Sequence, residues 1–153
     1  MLMTYLESIT YLTGKFIQVC QFAVKNAYRV ISLTSVKEKE NAYMAGSLTQ
    51  VESAEAIAKA YILQNKGLSE HQLILFFENA KGISKKDMDS LRKILSKRDY
   101  IVSYFYIENT PRMAREDVAV YESLITELKE YISIAESLNL SLSKACDRLY
   151  RDF

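Results

Sequence analysis

The chain has no tryptophan, one proline, four glycines, two cysteines and one histidine in 153 residues. So little proline and glycine leaves few places to turn the backbone, which excludes a meander of short strands and predicts long helices. Cys20 and Cys146 lie far apart and form no Cys-x-x-Cys or metal-ligand spacing, so both read as small core side chains. With His71 as the sole histidine there are no Glu-x-x-His pairs for a di-metal carboxylate bundle. Gly46, Gly67 and Gly82 are isolated turn residues, which excludes a glycine-rich phosphate loop. No stretch approaches about eighteen uninterrupted apolar residues, so no membrane span is expected. The apolar start through Phe22 is interrupted by Glu7 and Lys15 and lacks a basic leader and a small-residue cleavage site. A cytoplasmic protein without metal or cofactor is the resulting expectation.

What is present fits a soluble globular chain: 49% of residues are hydrophobic and 25% charged, enough apolar material for one core. The reading is one helical domain over residues 1–153. Net charge is only +1, yet it is unevenly spread. Lys81, Lys85, Lys86, Arg92, Lys93, Lys97, Arg98, Arg112 and Arg115 crowd one segment, and Glu116, Asp117, Glu122, Glu127, Glu130 and Glu136 the next. Such asymmetry marks either a surface facing a polyanion or two helices that neutralise each other.

Apolar periodicity then divides the chain. Leu6, Ile9, Leu12, Phe16, Cys20, Ala23, Ala27 and Val30 predict a first helix from about Met3 to Ile31, with a polar break at Ser32–Ser35. Ser35 and Glu38 have capping-box spacing and open a short helix to about Ala45. Gly46 runs into a second box, Ser47 with Gln50, which predicts a tight turn; the rival is one helix from Val36 to Gln64 that tolerates the glycine. Leu48, Val51, Ala54, Ile57, Ala58, Tyr61 and Ile62 form the next apolar face. Glu52, Glu55 and Lys59 fit an ordinary surface ion-pair ladder. Ser69 and Gln72 cap a helix from Glu70 to about Ala80 whose Leu73–Phe77 run is expected to be buried on most sides. Gly82 ends it, and Ser84 opens a helix to Tyr106. Thr110-Pro111 fits an N-cap with proline at the first helical position. A last long helix carries Tyr121 through Leu138, with an interruption expected at Asn139–Ser143 before a basic tail, residues 139–153. The fold class is all-α, an up-and-down helical bundle of five to six helices.

Arg98 falls at the centre of the apolar arc formed by Leu91, Leu95, Val102 and Phe105, at about 100° per residue. Its guanidinium stays charged, so burial demands a partner. It pairs with an inward carboxylate such as Glu55, lines a cleft between subunits, or holds a phosphate. On the outer face of the same helix Lys93, Lys97, Tyr100 and Tyr104 recur every three or four residues. Lysines that meet phosphates and rings that stack on bases are what single-stranded nucleic-acid sites use. Packing against a neighbouring helix under lysine stems, or a subunit interface, explains the same stripe.

The order of these pieces resembles the HEPN superfamily (higher eukaryotes and prokaryotes nucleotide-binding domain). The string Lys97-Arg98-Asp99-Tyr100-Ile101-Val102-Ser103-Tyr104-Phe105 is similar to the family's arginine motif, Arg98 and Asp99 being its polar pair. The turn Gly46–Gln50 and the segment Tyr104-Phe105-Tyr106 resemble paralogous families of hyperthermophilic archaea. The likeness covers residues 40–138, leaving 1–33 as an additional N-terminal helix. It implies a HEPN-like dimer that binds RNA or nucleotide as an accessory or regulatory component. In catalytic members a histidine separated from the arginine by four to six residues helps cleave RNA at the subunit boundary. Here those positions hold Ser103, Tyr104 and Phe105, none a general base near neutral pH. The resemblance therefore implies a degenerate motif without catalytic residues. Its candidate ligand-binding residues are Lys93, Lys97, Arg98, Tyr100 and Tyr104. The alternatives are a structural adaptor that docks a protein partner through the first helix, and a ribonuclease with a non-standard site.

Overall fold

A computed structural model describes residues 4–44, 69–80, 82–115 and 117–151, and the side chains of the first segment are described to position 38. Among them are five helices and no strand: α1 (Tyr5–Met44), α2 (Glu70–Glu78), α3 (Lys85–Ser103), α4 (Phe105–Met113) and α5 (Val118–Arg151). The architecture is an all-α helical bundle, as the sparse glycine and proline require. No helix of the described residues is long and apolar enough to cross a membrane. The Gly46 turn, its capping box, the Leu48–Ile62 face and Glu52, Glu55 and Lys59 lie outside the described residues.

α1 is longer than its sequence suggests. The break expected at Ser32–Ser35 does not occur, because the hydroxyls bond back into their own helix. Ser32 Oγ donates to the Tyr28 carbonyl at 2.8 Å, Thr34 Oγ1 to Val30 at 2.8 Å and Ser35 Oγ to Ile31 at 3.2 Å. A hydroxyl satisfied four residues back no longer competes with helical structure. Buried Leu33 and Val36 keep this stretch in the core.

The chain forms two compact units, and α1, α3 and α5 each contribute to both. In the first, α1 up to Ala23 packs with Asp89–Asn139. Tyr5 stacks on Tyr121 with centroids 5.3 Å apart, and Phe16 meets Tyr131 edge-on at 6.2 Å. Both residue numbers rise together, so these stretches of α1 and α5 run parallel. Cys20 approaches the Ile94 carbonyl and Thr13 the Tyr106 hydroxyl, the opposite sense, so α3 and α4 run against α1. Phe16, Cys20, Leu91, Ile94, Leu95 and Leu128 are all but sealed from solvent.

The second unit joins the rest of α1 to α2, the start of α3 and α5 from Leu140 onward. Ser69 and Gln72 form the expected reciprocal capping box, at 3.2 and 3.0 Å. α2 buries only Leu73 and Phe77, while Leu75 and Phe76 are half exposed, so its apolar run faces inward on one side alone. Ser84 and Asp87 exchange capping bonds at 3.1 and 3.0 Å to open α3.

Two expected boundaries move. Pro111 lies inside α4 rather than at the head of α5. It deprives the Ile107 carbonyl of a donor, a loss tolerated because Ile107 is exposed and α4 ends two residues later. Asp117 caps α5 instead, its Oδ1 accepting from the Ala119 amide at 2.9 Å. The basic tail expected from residue 139 is helical: α5 runs uninterrupted to Arg151 because Leu142, Ala145, Cys146 and Leu149 continue its buried stripe.

Gly82 sits at φ +82°, where a Cβ is strained, and its carbonyl accepts from Arg148 Nη2 at 3.0 Å. A methyl there would meet Ala145 Cβ at 3.8 Å and Leu149 Cγ at 4.0 Å, ordinary contacts. Gly82→Ala should therefore cost only the backbone penalty, about 1–2 kcal/mol by urea unfolding. An unchanged midpoint would show that this turn relaxes freely.

Candidate anion-binding cleft

One face of α3 carries Arg92, Lys93, Ser96, Lys97 and Tyr100, positions that helical geometry brings to the same side. In the first unit these residues form one wall of a cleft of about 660 Å³. Phe105, Asn109 and Arg112 of α4 and Leu124, Glu127 and Tyr131 of α5 complete it. Four cationic side chains thus face a single carboxylate. The volume lies within the range of small-ligand sites.

Lys97 is the buried cation of this unit, only 9% exposed. Its Nζ pairs with Glu127 Oε1 and lies 5.0 Å from the Tyr100 ring and 4.8 Å from the Tyr131 ring. Carboxylate and ring quadrupoles together replace the water that the ammonium loses. The charge asymmetry of the sequence is resolved locally: the basic α3 meets the acidic α5 at this pair.

The second wall depends on a bend. α3 ends at Ser103, Tyr104 adopts φ −130° and ψ −20°, and α4 begins at Phe105. The bend turns Phe105 inward, edge-on to Tyr100 at 6.3 Å and to Tyr106 at 5.1 Å. Asn109, 3% exposed, fastens the corner. Its Nδ2 donates to the Phe105 carbonyl at 2.8 Å and to the Tyr100 hydroxyl at 3.3 Å. Its Oδ1 accepts from Arg112 Nη1 at 3.2 Å, which holds that guanidinium at the cleft. The Tyr100 hydroxyl donates to Glu108 Oε2 at 2.5 Å, and this bond pushes the phenol above its ordinary pKa.

Of the residues singled out by sequence, Lys93, Lys97 and Tyr100 come together here. Arg98, Asp99 and Tyr104 do not line the cleft. Arg98 is a half-buried side chain, 28% exposed, with Nη2 3.5 Å from Asp99 Oδ1 on its own helix. It also lies close enough to Cys20 to favour that thiolate, although burial dominates and pushes the Cys20 thiol up to about 12. The more deeply buried cation of α3 is the neighbouring Lys97. Tyr104 is exposed at the bend. His71 is an exposed residue of α2 and contributes nothing to the cleft. Arg92, Asn109, Arg112, Glu127 and Tyr131 were not sequence candidates. Arg92, Arg112 and Glu127 did stand within the basic and acidic runs, whereas Asn109 and Tyr131 gave no signal.

Among the described residues no group of histidine, cysteine or acidic side chains is arranged to hold a metal ion. No family model, curated protein or solved structure matches the chain.

The unequal burial of the ion pair makes its two halves unequal. Glu127→Gln strands a sealed ammonium and should cost about 3 kcal/mol, whereas Lys97→Met leaves a carboxylate that water reaches and should cost about 1 kcal/mol. The reverse order in urea unfolding would contradict the burial argument. Cys20 and Cys146 are both sealed, and burial raises both thiols. A thiol near 12 is ionised to about one part in 10⁴ at pH 8. Iodoacetamide should leave both cysteines unmodified in the native protein and label both in urea.

Proposed function

We propose that this chain is a non-catalytic, HEPN-like binding module that holds the phosphate of a ribonucleotide, chiefly within single-stranded RNA, in the α3–α4–α5 cleft. The observation that carries the reading is the convergence of Arg92, Lys93, Lys97 and Arg112 on one concave site with tyrosine walls. Fixed cations beside aromatic rings suit a phosphate and an unstacked base. Lys97 is committed to Glu127, so Lys93 and Arg112 are the phosphate ligands on which the reading rests. Arg112 is pre-oriented by Asn109, which lowers the entropy lost on binding. The kinship rests on the order of helical pieces and on the Lys97–Phe105 string, and it carries with it a dimer and an accessory role. The cleft lining contains no histidine. Labelled RNA should stay intact after long incubation.

A second reading has its own observation. α1 exposes Tyr11 and Phe22, 56% and 51% accessible, on one face of a helix whose other face is core. A protein partner docked there would make the chain an adaptor. Tyr11→Ser with Phe22→Ser should then abolish partner capture without unfolding the chain, since neither side chain is buried.

Filter binding to single-stranded RNA tests the first reading. Each phosphate contact contributes about −0.7 to the slope of log K against log salt. Lys93→Ala and Arg112→Ala should each flatten that slope by about 0.7 and weaken binding at low salt. No retention at low salt, or retention indifferent to both substitutions, would defeat the proposal.

A further inference from the structure

Glu127, the partner that buried Lys97 requires, also lines the cleft with its side chain 45% exposed. Lys97 holds Glu127 through Oε1. Each carboxylate oxygen has two lone pairs, so the bond to Lys97 leaves acceptor capacity facing the cleft. The lysine is pinned in turn by the Tyr100 and Tyr131 rings, and the carboxylate is thereby fixed in place. Acceptors held rigidly in a partly desolvated site select ligands by the donors those ligands offer.

Resting on the nucleotide reading above, we infer that Glu127 makes the cleft selective for guanine. An unpaired base shows its Watson–Crick edge. On guanine that edge offers the N1–H and the 2-amino group side by side, two parallel donors that fit the two oxygens of one carboxylate. Adenine and cytosine each place an amino group beside a ring-nitrogen acceptor, whose lone pair opposes a carboxylate. Uracil flanks its single N–H with two carbonyls. Lys93 lies one helical turn, about 6 Å, from Lys97 along α3. The long Lys93 side chain can therefore reach the phosphate of the same nucleotide whose base meets Glu127.

Calorimetric titration of the full chain with guanosine, inosine, adenosine, cytidine and uridine 5′-monophosphates tests this. Guanosine monophosphate should bind at least about tenfold tighter than the adenosine, cytidine and uridine nucleotides. Inosine monophosphate, which lacks the 2-amino group, should lose much of that advantage without any change to the protein. Glu127→Asp, which keeps the charge and shortens its reach, should erase the preference while leaving phosphate-dependent binding. So should the paired Lys97→Met and Glu127→Gln substitution, which strands no charge. Equal affinity for all five nucleotides, each weakened by Lys93→Ala, overturns guanine selection and leaves the phosphate site standing. A guanine preference that survives both variants removes Glu127 as its cause. No binding of any nucleotide, with no retention of RNA, overturns both readings.

Discussion

An ammonium that is 9% exposed must be met by charge, and in this chain Glu127 meets it across the space between α3 and α5. The pair fixes more than two side chains. Lys97 lies against the rings of Tyr100 and Tyr131, and through them it touches two aromatic contacts of the first unit. Tyr131 continues to Phe16 of α1, and Tyr100 to Phe105 of α4. A buried ion pair contributes little net stability, because desolvation offsets most of its Coulombic gain. Its greater effect is on register: α3 and α5 cannot slide by one turn without stranding the lysine.

The same pair gives the cleft its character. It neutralises one of the cleft's four cations and places a carboxylate among the remaining bases. The α3–α4 bend completes the arrangement. A straight helix through Tyr104 would carry Asn109 and Arg112 away from Tyr100, whereas the bend lets one amide bond Phe105, Tyr100 and Arg112 together. The cleft's second wall depends on a corner, and the corner depends on one buried asparagine.

The helical content, the capping box at Ser69, the turn glycine Gly82 and the start at Ser84 were legible in the sequence, because each depends on neighbours within four residues, whereas α2 ends earlier than expected, at Glu78 with Asn79 as its cap. The expected break at Ser32–Ser35 was not observed: hydroxyl residues favour helix ends but are tolerated inside when they bond back one turn, and burial of Leu33 and Val36 chose the interior. Pro111 misled for a similar reason, since proline near the end of a short exposed helix costs little. In the cleft, Lys93, Lys97 and Tyr100 were recognisable from helical spacing alone. Leu91, Leu95 and Phe105 around Arg98 are buried as the 100° step expects, but Val102 on the same arc is exposed and Arg98 stays partly accessible, because a helical projection does not say how far neighbouring helices cover the arc.

By itself the amino-acid sequence determined an all-α chain, two core cysteines and a basic segment followed by an acidic one. These follow from local propensity, periodicity and composition, which act along the chain. Only the tertiary structure decided that Lys97 rather than Arg98 is the buried cation, that Glu127 answers it, and that Asn109 aims Arg112. Those choices rest on contacts across 30 residues in one case and on a backbone bend in the other, and neither is encoded in the spacing of any single helix.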